Sequence, residues 1–109
     1  MDPGLEWESV KACRAIVPHR VVHRVLASET VLLNIQTGHY YGMDETGGRF
    51  FEALRAADTV AAAVDMLARE FDAPVEQIRE DALRYCGELL HYGLIELQEA
   101  GAGKRSGGT

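Results

Sequence analysis

The chain has 109 residues, of which 47% are apolar, and this is enough for one modest hydrophobic core in a single domain. Its formal net charge of −6 disfavours a generic nucleic-acid binder, because an acidic surface repels phosphate groups. The two cysteines, Cys13 and Cys86, are too far apart for a CxxC pair and too few for a disulfide framework, so the expected compartment is a reducing cytoplasm.

The N-terminal segment, residues 1–18, mixes Pro3, Gly4 and Pro18 with scattered apolar residues and has no sustained hydrophobic period. We therefore expect a loosely ordered arm, in which Trp7 covers the surface of its own domain or docks on a partner. Acidic residues stand where a signal peptide carries basic ones, and no apolar run of about 18 residues occurs anywhere in the chain. The sequence therefore predicts a protein that is neither exported nor membrane-spanning.

Three stretches with the composition and alternation of strands follow, at residues 20–26, 30–35 and 39–43. Short turns separate them, so they predict a three-stranded antiparallel meander. The third strand, residues 39–43, lies at the edge of this sheet. An edge strand offers a row of unpaired N–H and C=O groups.

Three helices are predicted after the sheet, over residues 45–56, from residue 58 or 59 to residue 71, and over residues 74–93. Asp44 is a good N-cap for the first, because its carboxylate can accept from free N–H groups of the first turn. Pro74 suits the first position of the third helix, and Gly93 can adopt the left-handed conformation that closes it.

The end of the chain changes composition. Residues 94–97 can form a short fourth strand, and residues 98–109, QEAGAGKRSGGT, are expected to be a disordered tail because they cannot bury apolar surface. The predicted organisation is an arm over residues 1–18, a globular domain over residues 19–97 and this tail. The predicted fold class is α+β, with a three-stranded antiparallel sheet followed by three helices.

The third helix carries an apolar arc of roughly 160° at about 100° per residue. Its members are Val75, Ile78, Ala82, Leu83, Tyr85, Cys86, Leu89 and Leu90. A helix that lies on one core needs an arc of only about 100°. Either this helix packs against two other helices and the sheet, or one flank of the arc faces a further partner.

No catalytic, metal or cofactor motif interrupts these elements. His19 and His23 lie four residues apart but have no carboxylate or thiol at ligand spacing. The glycine-rich stretch TGGRF lacks the lysine and the preceding buried strand of a P-loop. Cys86 lies within the apolar arc, which favours a packing role over a nucleophilic one. The sequence therefore predicts no enzyme, no metal site and no cofactor.

Two stretches carry a resemblance to a known family, namely LLNIQTGHYYGMDETG at residues 32–47 and GLI at residues 93–95. With DETGGRFFEAL, EFDAP and GLIEL, they make residues 19–97 similar to the PqqD-like family, which includes the pyrroloquinoline quinone biosynthesis protein D and the leader-binding RiPP recognition elements. The resemblance implies a winged-helix-like arrangement of three strands and three helices. It also implies that the leader of a precursor peptide adds as a strand to the third strand, in a groove walled by the third helix.

The peptide-binding residues expected on this basis lie on the third strand and the third helix. They are His39, Tyr40, Tyr41, Gly42, Met43, Arg79, Leu83, Cys86 and Leu90. The edge strand would supply main-chain groups and one flank of the apolar arc would supply side-chain pockets, which is the pattern of β-augmentation. Leu83 and Leu90 mark the expected groove flank. The chain departs from the family where Ala73 replaces a frequent acidic cap and Cys86 replaces a bulky residue.

Three functions from different classes are compatible with the sequence. Our hypothesis is a non-catalytic adaptor that binds the leader of a ribosomally made precursor and presents it to a modifying enzyme, such as a radical SAM protein, or to a leader peptidase or cyclase. One alternative is a winged-helix DNA-binding regulator, which needs a basic recognition helix, whereas the third helix sets Arg79 and Arg84 against several acidic residues. The other is a homodimeric assembly protein that pairs through its edge strand.

Overall fold

The computed structural model describes residues 5–99, and residues 1–4 and 100–109 lie outside the described residues. The strands are β1 (Cys13–Ile16), β2 (Val21–Leu26), β3 (Glu29–Asn34), β4 (Tyr40–Met43) and β5 (Glu96–Glu99). The helices are α1 (Trp7–Val10), α2 (Glu45–Ala56), α3 (Val60–Phe71) and α4 (Val75–His91). None of the helices in this part of the chain has the length and apolarity needed to cross a membrane.

The predicted α+β fold class is confirmed, because an antiparallel sheet in the order β2-β3-β4 precedes α2, α3 and α4. The register places Val22 of β2 opposite Leu33 of β3, and Leu33 opposite Tyr40 of β4. The third predicted strand is therefore β4, and it lies at the sheet edge. Only Asp44 separates β4 from α2, so the edge strand leads directly into the helical layer.

The first two long helices begin at side-chain caps. The carboxylate of Asp44 accepts a hydrogen bond from the N–H of Gly47 at 2.9 Å, as the sequence predicted, and α2 spans the predicted residues. The hydroxyl of Thr59 accepts from the N–H of Ala62 at 3.1 Å and caps α3. These local signals are strong enough to set both helix starts.

The third predicted helix is α4, which has a regular capping motif at its C-terminus but no side-chain cap at its N-terminus. Its C-terminus closes with Gly93 at φ 69°, and the N–H of Leu94 bonds to the C=O of Leu89 at 2.8 Å, as in a Schellman motif. At its start, Pro74 is the N-cap rather than the first helical residue, and no side chain caps the helix. Ala73 therefore lies one residue before the capping position.

The N-terminal segment is more ordered than expected. Its described residues, 5–18, contain α1 and β1, and β1 pairs antiparallel with β5, with Cys13 opposite Glu99. The expectation of a loose arm was wrong because the partner strand lies at the other end of the chain, beyond the reach of local periodicity. β5 replaces the predicted strand at residues 94–97 and includes the first two residues of the expected tail. The rest of that tail lies outside the described residues.

The core lies between the inner face of the sheet and the three long helices. Its largest fully buried side chains are Phe50, Phe51, Leu32, Leu54, Leu67, Leu89, Leu94, Val60, Val64 and Cys86. Gly48 allows α2 to approach β3 closely, because a Cβ at this position would lie 2.5 Å from Oγ1 of Thr30. The sheet therefore rests directly on α2.

β3 turns two of its polar side chains toward the core and part of its apolar surface toward solvent. The buried residues are Thr30, Leu32 and Asn34, and the residues of the outer face are Val31, Leu33 and Ile35. The carboxamide oxygen of Asn34 accepts hydrogen bonds from the N–H groups of Gln36 and Thr37, at 3.0 and 3.3 Å. Because its acceptor is satisfied in this way, Asn34 is tolerated inside.

Candidate functional site

The hydrogen-bond ladder of the sheet fixes the main-chain directions of β4. The N–H of Asn34 bonds to the C=O of His39 at 2.9 Å. Main-chain groups alternate in direction along an antiparallel strand, so the next bonded pair is two residues further along each strand, at Leu32 and Tyr41. The N–H and C=O of Tyr41 therefore point toward β3.

By the same alternation, Tyr40 and Gly42 point their N–H and C=O groups away from the sheet. Within residues 5–99, no strand pairs with this edge. The side chain of Tyr40 is 75% exposed, and a Cβ on Gly42 would meet no atom within 4 Å. The edge of β4 is therefore open to a further strand.

The opposite wall of the site is α4, which a side-chain hydrogen bond ties to β4. The hydroxyl of Tyr41 donates to the carboxylate of Glu88, and the Tyr41 ring centre lies 5.4 Å from that of Tyr92. Burial raises the pKa of Tyr41, and the bond to the Glu88 carboxylate raises it further, so the phenol stays a neutral donor. The guanidinium of Arg84 lies 4.8 Å from the ring centre of Tyr85. Glu88 therefore marks the flank of α4 that faces β4, and Arg84 and Tyr85 lie within about 60° of it around the helix.

The expected groove residues Leu83 and Leu90 lie on a different flank of α4. Arg79 marks this flank, because its guanidinium carbon lies 4.7 Å from the centre of a Trp7 ring. Glu88 is nine residues from Arg79 and lies about 180° around the helix, whereas Leu83 and Leu90 lie within about 40° of Arg79. Their flank therefore faces the N-terminal segment. That segment, with Trp7, takes up part of the wide apolar arc.

Cys86 lies in the core and not on a groove wall. Its side chain is 0% exposed, and burial raises the pKa of its thiol to about 12. It shares the buried stripe of α4 with Ile78, Ala82 and Leu89. The packing role predicted for Cys86 is confirmed, and its expected contact with a peptide stays a prediction that full burial does not favour.

An open pocket of about 330 Å³ lies on the solvent-facing side of α4. Its lining residues are Leu5, Leu83, Arg84, Gly87, Glu88, His91 and Tyr92. A Cβ on Gly87 would meet no atom within 4 Å, although a glycine inside a helix costs about 0.5–1 kcal/mol relative to alanine. This pocket was not predicted, and the signal available for it was Gly87 in the middle of a helical pattern.

The two histidines considered as metal ligands, His19 and His23, have different surroundings. His23 packs edge-on against Phe51, with ring centres 5.3 Å apart, and its Nε2 lies 3.9 Å from a carboxylate oxygen of Glu52. His19 is exposed. No group of three or more His, Cys, Asp or Glu side chains that could hold a metal ion occurs within the described part of the chain.

The chain is similar to one family model and to two solved structures. The family model described as "Coenzyme PQQ synthesis protein D (PqqD)" matches residues 29–95. TbiB1, solved in complex with the TbiA(beta) leader peptide, is 27% identical, with a TM-score of 0.69 over 74% of this chain and 94% of that chain. A lasso peptide synthetase B1 complexed with its leader peptide is 16% identical, with a TM-score of 0.69 over 76% of this chain and 98% of that chain, and this match speaks for the fold alone. No curated protein matches the chain. Because the family model covers more than half of its length, including β3, β4 and the three long helices, the chain belongs to the PqqD family.

Proposed function

We propose that this protein is a non-catalytic adaptor that binds the leader of a ribosomally made precursor peptide as an added strand on β4. The observation that carries the proposal is the open edge of β4, where Tyr40 and Gly42 direct main-chain groups away from the sheet. The 27% identical TbiB1, which was solved with a leader peptide bound, supports it.

In this proposal the peptide lies between the edge of β4 and the Glu88 flank of α4. Tyr40 and Gly42 supply main-chain hydrogen bonds, and His39 directly precedes the strand. Side chains of the added strand alternate between the two faces of the sheet, so every second one enters the space between β4 and α4. Glu88 and Arg84 give that wall polar groups beside the rings of Tyr41, Tyr85 and Tyr92.

The adaptor presents its bound peptide to a separate enzyme, and we propose a radical SAM protein or a leader peptidase or cyclase as the partner. A thiol nucleophile on this chain is disfavoured, because burial raises the pKa values of both Cys13 and Cys86. Main-chain pairing also suits an adaptor, since it gives affinity with little demand on sequence, while side-chain contacts give specificity.

The direct test is isothermal titration of the full chain with the leader of its own precursor, once the flanking genes have been read to find one, and with the TbiA(beta) leader as a second probe. We expect one peptide per chain and a loss of binding in Tyr40→Pro, which removes an outward N–H. Binding that persists unchanged in Tyr40→Pro would place the peptide elsewhere and contradict the proposal.

The two alternatives predict different results in the same preparation. A DNA-binding regulator with six or more phosphate contacts would lose about 10³-fold or more in affinity between about 50 and 200 mM salt, whereas strand addition with apolar anchors should change much less. A homodimer that pairs through β4 would dissociate as the leader is added, and sedimentation would detect this. The acidic charge of −6 and the mixed charges of α4 argue against the DNA alternative.

A further inference from the structure

The outer face of the sheet continues to the open edge as two cross-strand rows. In the first row, Val22, Leu33 and Tyr40 lie side by side. In the second row, Arg24, Val31 and Gly42 lie side by side. Both rows face away from the core, since the buried side chains of β3 alternate with those in the rows.

A strand added to β4 must extend these rows. Its side chains alternate between faces, and the side chains directly opposite β4 lie about 4.5–5.5 Å from their partners. One outer-face residue of the peptide therefore comes beside Tyr40, and another, two residues away, comes beside Gly42. Neither contact involves α4.

Gly42 leaves a notch in the second row. Its φ is not positive, so its backbone conformation does not require glycine, and a Cβ there would meet no atom within 4 Å. Glycine inside a strand weakens it, and often marks a close approach by a ligand or another chain. The half-buried Val31 lies directly behind Gly42. A large side chain on the next strand can lie across the glycine and reach Val31, as aromatic residues do when they cover an edge glycine.

Tyr40 supplies the adjoining wall of this notch. The side chain of Tyr40 is 75% exposed, and Leu33 beside it is half-buried. The first row therefore ends at the open edge in an aromatic side chain with space beside it. Arg24, the charged residue of the second row, lies on the far side of Val31 from the open edge. Beside Tyr40 and Leu33, a charged side chain would lose hydration without gaining an ion-pair partner. The surface therefore suits apolar and aromatic side chains.

We propose that Tyr40 and Gly42 are specificity-determining residues that select a peptide by its outward-facing side chains, with an aromatic residue lying over Gly42 onto Val31 and an apolar residue beside Tyr40. This inference rests on the proposed function, because it requires strand addition to β4. It adds a second recognition surface to the one between β4 and α4, on the opposite face of the sheet.

The experiment selects binders from a display library of random 12-residue peptides on the immobilised full chain, and repeats the selection on Gly42→Val. Valine fills the notch and is a better strand former than glycine, so the variant should fold. We expect the wild type to enrich an aromatic residue paired with an apolar residue two positions away, and Gly42→Val to lose the aromatic preference. Gly42→Ala, with a smaller side chain, should lose part of it.

A double-mutant cycle then tests direct contact. Replacing the enriched aromatic residue of the peptide by alanine should raise its dissociation constant by up to about fivefold for the wild-type protein, and much less for Gly42→Val. Leu26→Thr is the matched control, because Leu26 is exposed on the outer face of β2, far from the edge, and its replacement should leave both effects unchanged.

The outcomes separate this inference from the function on which it rests. If selected peptides lose binding in Tyr40→Pro but show no outward aromatic preference, the outer face does not select and the inference is wrong while strand addition stands. If the selected peptides bind Tyr40→Pro as well as they bind the wild type, strand addition fails and the inference fails with it.

Discussion

The hydroxyl of Tyr41 and the carboxylate of Glu88 form a hydrogen bond that joins the edge strand β4 to α4. The two residues are 47 positions apart in the chain, so the bond is a tertiary contact and not a local one. It fixes the side of α4 that faces the sheet edge. A strand added to β4 would therefore run beside the Glu88 flank, and not beside the flank that carries Leu83 and Leu90.

The first prediction is that this bond makes the free energy of unfolding fall at alkaline pH. Burial and the bond to Glu88 raise the pKa of Tyr41 in the folded state above the unfolded value of about 10. A group whose pKa is raised in this way contributes its full stability below the unfolded pKa and loses it as the pH rises above that value. We expect the free energy of unfolding to fall above about pH 10, and to fall less in Tyr41→Phe.

Urea denaturation at pH 8 and at pH 11 measures this effect. At pH 8, Tyr41→Phe should cost about 1 kcal/mol for the lost hydrogen bond. Tyr40→Phe is the control, because Tyr40 is exposed and its variant should follow the wild type at both pH values. An equal alkaline loss in the wild type and Tyr41→Phe would show that the bond does not govern this dependence.

A second prediction uses the opposite main-chain directions of neighbouring edge residues. Tyr41→Pro removes an N–H that points to Leu32, and should lower the free energy of unfolding by about 2 kcal/mol or more. Tyr40→Pro removes an outward N–H, and should leave the fold intact while abolishing leader binding. Circular dichroism and titration calorimetry measure the two properties. Similar behaviour of both variants in both assays would contradict the assigned ladder directions.

The parts of the fold that the sequence could predict are those set by local signals. Asp44 caps α2, and Gly93 closes α4 in a left-handed conformation, so the ends of these helices follow from single residues and their neighbours. The pairing of β1 with β5 could not be predicted, because each strand has only four residues and the two lie at opposite ends of the chain. Tertiary contacts, and not local sequence signals, order these two strands.

The candidate site could be predicted only in part for the same reason. The edge position of β4 follows from strand order, and Tyr40 and Tyr41 could be named from the sequence. The flank of α4 that faces β4 is marked by the tertiary bond between Tyr41 and Glu88, and the opposite flank by the contact of Trp7 with Arg79. Helical periodicity shows which residues of α4 share a face but not which neighbour covers it.

A third prediction concerns the close approach of α2 to β3. A Cβ on Gly48 would lie 2.5 Å from Oγ1 and 3.3 Å from Cβ of Thr30, so Gly48→Ala should destabilise the fold by about 1–3 kcal/mol, despite the higher helix propensity of alanine. Adding Thr30→Ala removes the clashing oxygen, and the double variant should be more stable than the sum of the single effects predicts.

Gly87→Ala is the matched control for this prediction, because Gly87 also lies inside a helix but a Cβ there meets no atom within 4 Å. It should stabilise the fold by about 0.5–1 kcal/mol. Chemical denaturation followed by circular dichroism compares the two single variants, the double variant and Gly87→Ala. A Gly48→Ala variant as stable as Gly87→Ala would mean that α2 moves away from β3 without cost.

The last prediction separates the two flanks of α4. Leu90 lies on the Arg79 flank and packs against the core, so Leu90→Ser should lower the free energy of unfolding by about 1–3 kcal/mol. Its leader affinity, measured where the variant is fully folded, should stay within about twofold of the wild type, which is less than about 0.5 kcal/mol.

Arg84→Ser should instead weaken leader binding and leave the free energy of unfolding nearly unchanged. The side chain of Arg84 is 54% exposed and covers the ring of Tyr85, so its loss changes the wall that faces β4 with little change in stability. We expect a weaker complex by about 0.5–1.5 kcal/mol, because the bound peptide would lose one hydrogen-bond donor of that wall. If Leu90→Ser weakens binding more than Arg84→Ser does, the peptide lies on the side of the N-terminal segment, and the Tyr41–Glu88 bond does not mark the groove.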